Sequence, residues 1–203
     1  MTASDTRLAD PRPAIGVAAQ RATHLLAGVT AEQFGLPTPC TEFDVRTLVN
    51  HLLGIADRYI ALAERGTVEG VPSIAEVTVT DGAVAAEEFA ARVARAEAAW
   101  ADDALLDRPV TVPWGTVPGR GALWAYTNEF LVHGWDLAVA TGQPAEADAA
   151  VVEAVAPVVR TFIPAEIRGA EGVPFAAVVE PRDGAGPTER LANWAGRSST
   201  GWV

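Results

Sequence analysis

The apolar positions of the chain fall mostly at helical intervals. Ile15, Ala18, Ala22, Leu25 and Val29 recur every three to four residues and predict a helix over 13–34. The run Gly35-Leu36-Pro37-Thr38-Pro39-Cys40 breaks it, because prolines cannot sit in a helix interior. Thr41 then reads as the N-cap of a second helix, with Glu42 and Asp44 in its first turn. Val45, Leu48, Val49, Leu52 and Ile55 give that helix one apolar face, running to about Arg65. Residues 66–82 mix Gly, Pro, Val and Thr without a helical period and read as a loop with at most a short extended piece. A third helix, from about Ala83 to Asp102, is rich in Ala, Glu and Arg, which favour helical positions.

The next segment, Asp107 to Gly121, holds three prolines and three glycines around Trp114 and reads as a long structured connection of the kind that often borders sites. A fourth helix is expected from Ala122 to Ala140, stopped by Thr141-Gly142 with Pro144 beyond. Glu146 to Phe162 is helical in pattern, with Pro157 expected to kink it or end it early. Phe175 to Val179 suits one short strand, and Glu189 to Trp194 a short closing helix. Neither an internal repeat nor a domain linker is visible. The expected fold class is therefore mainly all-α, a four-helix bundle in a single domain spanning 1–203, with 13–165 as the core bundle and 166–203 as a short C-terminal extension.

Composition narrows the function. The 203 residues are 49% hydrophobic, which suits one sizeable core. The net charge of −11 repels phosphate backbones and anionic membrane surfaces, so neither nucleic acid nor membrane is an expected partner. No apolar run approaches the roughly 20 residues needed to span a bilayer. Met1 to Arg12 lacks an apolar signal core, which makes the cytoplasm the expected location. All 15 basic residues are Arg, so Schiff-base chemistry and a phosphate-loop lysine are excluded. Cys40 is the single cysteine, which rules out an intramolecular disulfide and a cysteine-rich metal cluster; it reads as a packed thiol.

Three histidines carry the remaining chemistry. His24, between Arg21 and Gly28, reads as a boundary residue. His51 lies one position off the apolar stripe of the second helix and, taken alone, is more often a hydrogen-bonded core histidine than a ligand. His133 stands four residues after Glu129 and three before Asp136, spacings that share one helix face. That face interrupts an otherwise apolar run, Leu123, Trp124, Phe130, Leu131, Val132 and Leu137, so buried ionisable groups there need a partner, and a metal is one. The spacing itself is weak: with 26 acids, about 0.4 such pairs arise by chance, and a metal-free carboxylate–histidine pair explains it as well. Three protein ligands would leave an open position, the pattern of a catalytic zinc, with Asp136 acting behind the ligands or on bound water.

Two blocks carry a resemblance. PTPCTEFDVRTLVNHLLG, Pro37 to Gly54, and NEFLVHGWDLAVATGQP, Asn128 to Pro144, resemble the actinobacterial metal-binding branch of the DinB-like superfamily, related to mycothiol-dependent maleylpyruvate isomerase. PVTVPWGTVPG, Pro109 to Gly119, and ERLANWAGR, Glu189 to Arg197, extend the likeness over nearly the whole chain. The resemblance implies an up-down-down-up four-helix bundle with a divalent metal at one end, held by His51, Glu129 and His133. Zinc is the first expectation, and nickel or iron suits the same donors. It also implies a small electrophilic substrate and a low-molecular-weight thiol such as mycothiol, with S-transfer or isomerisation as the reaction and Asp136 as orienting group or base. A non-catalytic metal module, a metal-dependent hydrolase or lyase using bound water, and a metal-free bundle holding an apolar ligand stay open. Arg58, Arg92 and Arg120 are candidates for a functional arginine, and a homodimer is also left open.

Overall fold

A computed structural model describes residues 8–168 and 176–203. Six α-helices and one hairpin follow in order: α1 Arg12–Ala27, α2 Val45–Arg65, α3 Gly82–Ala99, β1 Pro109–Val112, β2 Gly115–Pro118, α4 Gly119–Thr141, α5 Ala149–Phe162 and α6 Pro187–Trp194. The mainly all-α class is as expected. α1 packs against α3 and α4, and α2 against the same two, so the four long helices close a ring around one core. Its largest fully buried side chains include Trp100, Trp135, Tyr59, Phe34, Phe89 and Phe130. Trp100 sits flat beside Tyr59, with ring centres 6.3 Å apart, and its indole N–H donates to the Tyr59 carbonyl oxygen at 3.0 Å. No helix among the described residues is long and apolar enough to cross a membrane.

Local chemistry moved several boundaries. α1 stops at Ala27 rather than running to 34. Thr30 and Gln33 form a capping box that starts a separate 3-10 turn, Ala31–Gly35, leaving Val29 buried outside the helix. The cap of α2 is Asp44, not Thr41, because the Asp44 carboxylate reaches the Thr47 N–H at 2.8 Å. Pro157 does not end α5. It is exposed, as is Glu153, whose carbonyl loses its helical donor to the proline, so water can satisfy the freed group. Residues 176–179 form no strand; the Val179 N–H donates to the Asn193 carbonyl oxygen instead, and Phe175 lies outside the described residues.

The connection over 107–121 is the hairpin that the sequence pattern did not reveal. Four antiparallel pairs, from Pro109–Pro118 to Val112–Gly115, place Pro113 and Trp114 at its turn. The second strand runs directly into α4, with the Gly119 N–H donating to the Arg108 carbonyl oxygen, so α4 begins three residues earlier than its apolar period suggests. α6 packs on α4 and α5, bringing the C-terminal extension against the end of α4 that carries the polar groups.

Candidate functional site

α4 is buried nearly all round, so its polar residues cannot escape to solvent. Glu129, His133 and Asp136 project from one side of it toward α2, which supplies His51. The Nε2 atoms of His51 and His133 each lie 3.4 Å from the same oxygen, Glu129 Oε2. The two imidazoles meet edge to face, with ring centres 4.6 Å apart. The three ligand atoms lie within 4.8 Å of one another. His51 and His133 are buried; Glu129 keeps 28% of its side chain open, on the side facing a cleft.

The 3.4 Å separations separate two interpretations. A charge-assisted N–H···O bond shortens to about 2.7–2.9 Å. Ligands about 2.0–2.1 Å from a tetrahedral zinc are separated by edges of about 3.3–3.4 Å. The two nitrogen–oxygen separations match such an edge and are long for charge-assisted hydrogen bonds.

The histidines are held differently. His133 Nδ1 lies 3.1 Å from Asp136 Oδ2, which fixes Nδ1 as the protonated nitrogen and turns Nε2 toward Glu129. Asp136 is fully buried, and the Arg197 Nε–H reaches both of its oxygens at 3.2 Å. His51 Nδ1 is buried without a hydrogen-bond partner, and its ring is positioned instead by Phe43, 5.1 Å between centres. On α4's opposite side, toward α1, Gly134 makes room for Arg21: a β-carbon there would come within 2.8 Å of the guanidinium, which ties α1 to the Pro144 and Ala145 carbonyl oxygens.

Electrostatics follow from the packing. Burial alone would push His133 down, but the Asp136 and Glu129 carboxylates, which accept from the ring, outweigh it and raise it to about 9. Burial would raise Glu129, yet the two imidazoles hold its carboxyl well below the usual carboxylate range. Burial pushes the Cys40 thiol up, opposed by Arg197 and reinforced by Asp136. Cys40 is half-buried, and its sulfur with His133 and Asp136 forms a second group of converging donors. There, however, Asp136 already serves Arg197 and His133.

The site opens on a cleft of about 550 Å³, bordered by Phe43, Arg58, Trp114, Tyr126 and Arg197 as well as the three donors. Asp136 does not line it, so this carboxylate has no direct reach to a group bound there. Of the three arginines singled out in the sequence, only Arg58 borders the cleft. Arg92 pairs with Asp57 and Glu88, and Arg120 with Asp107 and the Leu8 carbonyl oxygen. His24 lies on α1 outside this site.

Residues 15–138 match the family model described as the Mycothiol maleylpyruvate isomerase N-terminal domain. The chain belongs to this family. Its relatives include an uncharacterized protein of Mycobacterium tuberculosis, found in two strains, 34% identical over 175 residues and covering 86% of this chain and 90% of the relative. Among solved structures, the crystal structure of the mycothiol-dependent maleylpyruvate isomerase superposes with a TM-score of 0.60 at 20% identity, covering 80% of this chain and 70% of that one. A mutant of that enzyme superposes with a TM-score of 0.57 at 19% identity. These structural likenesses establish the shared fold.

The family match stops at 138, whereas Arg197 lies beyond it and still reaches the site. Arg197 was missed by sequence reasoning, although a signal existed. An aspartate inside a fully apolar helix requires a cation, and a chain without lysine must supply an arginine or a histidine.

Proposed function

We propose that this protein is a metal-dependent enzyme that activates a low-molecular-weight thiol against a small electrophile. The observation that carries the reading is the convergence of His51 Nε2 and His133 Nε2 on Glu129 Oε2, each at 3.4 Å, beside an open cleft. His51, Glu129 and His133 are the proposed ligands. Two imidazoles and one carboxylate suit zinc first, with nickel and iron as competitors.

When bound, the metal supplies a Lewis acid that keeps a thiol ionised at neutral pH. The chain's residues do the remaining work. Asp136, gripped by Arg197, orients His133 and keeps its Nε2 free to ligate. This reading makes Asp136 a positioning residue rather than a base, since it is buried behind His133. Phe43 packs against both imidazole rings and limits water on that side. The name of the superposed enzyme, a mycothiol-dependent isomerase, supports a mycothiol-type cosubstrate and either S-transfer or thiol-assisted isomerisation. The C-terminal extension is part of the same functional unit through Arg197.

The test combines metal analysis with turnover. Protein loaded with zinc should conjugate mycothiol to monochlorobimane, and stripping the metal should remove that activity. Equal rates with and without metal would refute the proposal. Metal-dependent hydrolysis that needs no thiol would replace it with activation of water.

A further inference from the structure

Beside the cleft lies a smaller apolar chamber of about 70 Å³ that the proposed chemistry does not use. It is enclosed by Val117, Gly121, Trp124, Val159 and Phe162, between β2, the first half of α4 and the end of α5. Trp114, Asn128 and Glu129 line both spaces, so the chamber joins the cleft at the carboxylate proposed as a ligand.

Three features mark the chamber as kept open for a ligand. The first is Gly121. Glycine weakens a helix relative to alanine, and the other glycines of α4 have a steric reason. A β-carbon at Gly119 would lie 2.2 Å from the Leu105 carbonyl oxygen, and one at Gly134 would lie 2.8 Å from Arg21. At Gly121 the nearest atoms, the Phe162 ring and Val117, are 3.8 Å away, an ordinary contact, and the backbone is not left-handed. Nothing forbids a side chain there except that it would fill the chamber. The second feature is Asn128, only 5% exposed, whose Oδ1 is buried with no hydrogen-bond partner. The third is the rim, where Trp114 and Phe162 leave 61% and 46% of their surfaces in solvent, unusual for large apolar residues.

We infer that this chamber is a substrate subsite for a compact, uncharged apolar arm, a phenyl or branched alkyl group, tethered to the reacting centre through a polar group that hydrogen-bonds the Asn128 side-chain amide. An anionic arm is excluded by the apolar lining and by the neighbouring Glu129 carboxylate. The position of the reacting centre rests on the thiol-enzyme reading; the chamber itself does not.

Binding and selectivity test the two parts separately. Benzamide, a phenyl ring carrying an N–H donor, is titrated into full-length wild type, with and without zinc, by ligand-observed NMR. It should bind in both states, weaken at least tenfold in Gly121→Leu and by a smaller factor in Gly121→Ala and Asn128→Leu, with circular dichroism confirming that each variant folds. No binding to wild type, or equal affinity in folded Gly121→Leu, would overturn the subsite. In the zinc enzyme, mycothiolate displaces chloride from N-benzyl-2-chloroacetamide or 2-chloroacetamide, forming C–S and breaking C–Cl. The ratio of kcat/KM for the benzyl compound over the parent should fall at least tenfold in Gly121→Leu; an unchanged ratio would overturn the inference. If zinc gives no turnover of either compound, the thiol reading fails while benzamide binding still decides the chamber.

Discussion

α1 and α3 pack together through small and apolar residues: the buried positions of α1 include Ile15, Ala18, Ala22 and Leu26, and those of α3 Ala85, Ala86, Phe89, Val93 and Ala96. Where α2 meets α4, apolar residues such as Ile55 and Val132 border the same cleft as His51, Glu129 and His133, with Asp136 buried behind. Both seams belong to one core, yet they have opposite energetics. The first gains stability from every buried methylene. The second carries desolvated ionisable groups that hydrogen bonding satisfies only in part, as the partnerless Nδ1 of His51 shows. A packing-only account would place leucine at 51 and 133. The polar seam makes sense if its stabilising partner is a cation.

The comparison predicts an exchange of phenotypes between the seams. Glu129→Ala or His51→Ala should reduce zinc from one equivalent to none, measured by elemental analysis after dialysis against trace zinc. Without metal and above about pH 9, where the His133 proton no longer contributes, the same variants should melt within a few degrees of metal-free wild type, because they relieve a polar cluster. Leu26→Ala, in the apolar seam, should cost about 2–5 kcal/mol in denaturant unfolding while the folded protein still takes one zinc. Loss of zinc in Leu26→Ala at temperatures where it is folded would erase the distinction between the seams.

A smaller effect is expected one layer behind the ligands. Asp136→Asn keeps the shape but weakens the acceptor for His133 and the partner of Arg197. Zinc affinity should fall about 10–100-fold in competition with a chromophoric chelator. An unchanged affinity would show that Asp136 does not orient the ligand.

The pH dependence of the metal-free protein is a separate readout. His133 is raised from its ordinary value of 6.5 to about 9. Its contribution to stability is therefore complete below about pH 6.5 and is lost as pH rises through about 9. Zinc requires the neutral imidazole, so its affinity should strengthen over the same interval, with proton release in calorimetry. His133→Gln should flatten both trends.

The two seams were also unequally legible in sequence. Helical periodicity gave α1 directly, because Ile15, Ala18, Ala22 and Leu25 act through burial, which leaves a spacing signature, and composition gave α3. The residues of the proposed metal site were each visible, but their convergence was not. Glu129 and His133 share a helix face, whereas His51 is 78 residues away from Glu129, and its part came from resemblance. Arg197 and Phe43 escaped altogether, since both sit outside the helices they serve and their roles depend on tertiary contact. The hairpin was hidden for a related reason. Its strands are four residues each and rich in proline and glycine, too short to show alternation.

X-ray absorption at the zinc edge of the loaded protein tests the central claim most directly. Coordination by His51, Glu129 and His133 predicts a four-coordinate shell of nitrogen and oxygen at about 2.0–2.1 Å, with imidazole scattering from two rings and no sulfur until a thiol is added. A sulfur at about 2.3 Å in the thiol-free protein would place the ion on Cys40 and contradict the account, as would a shell that is unchanged in His51→Ala.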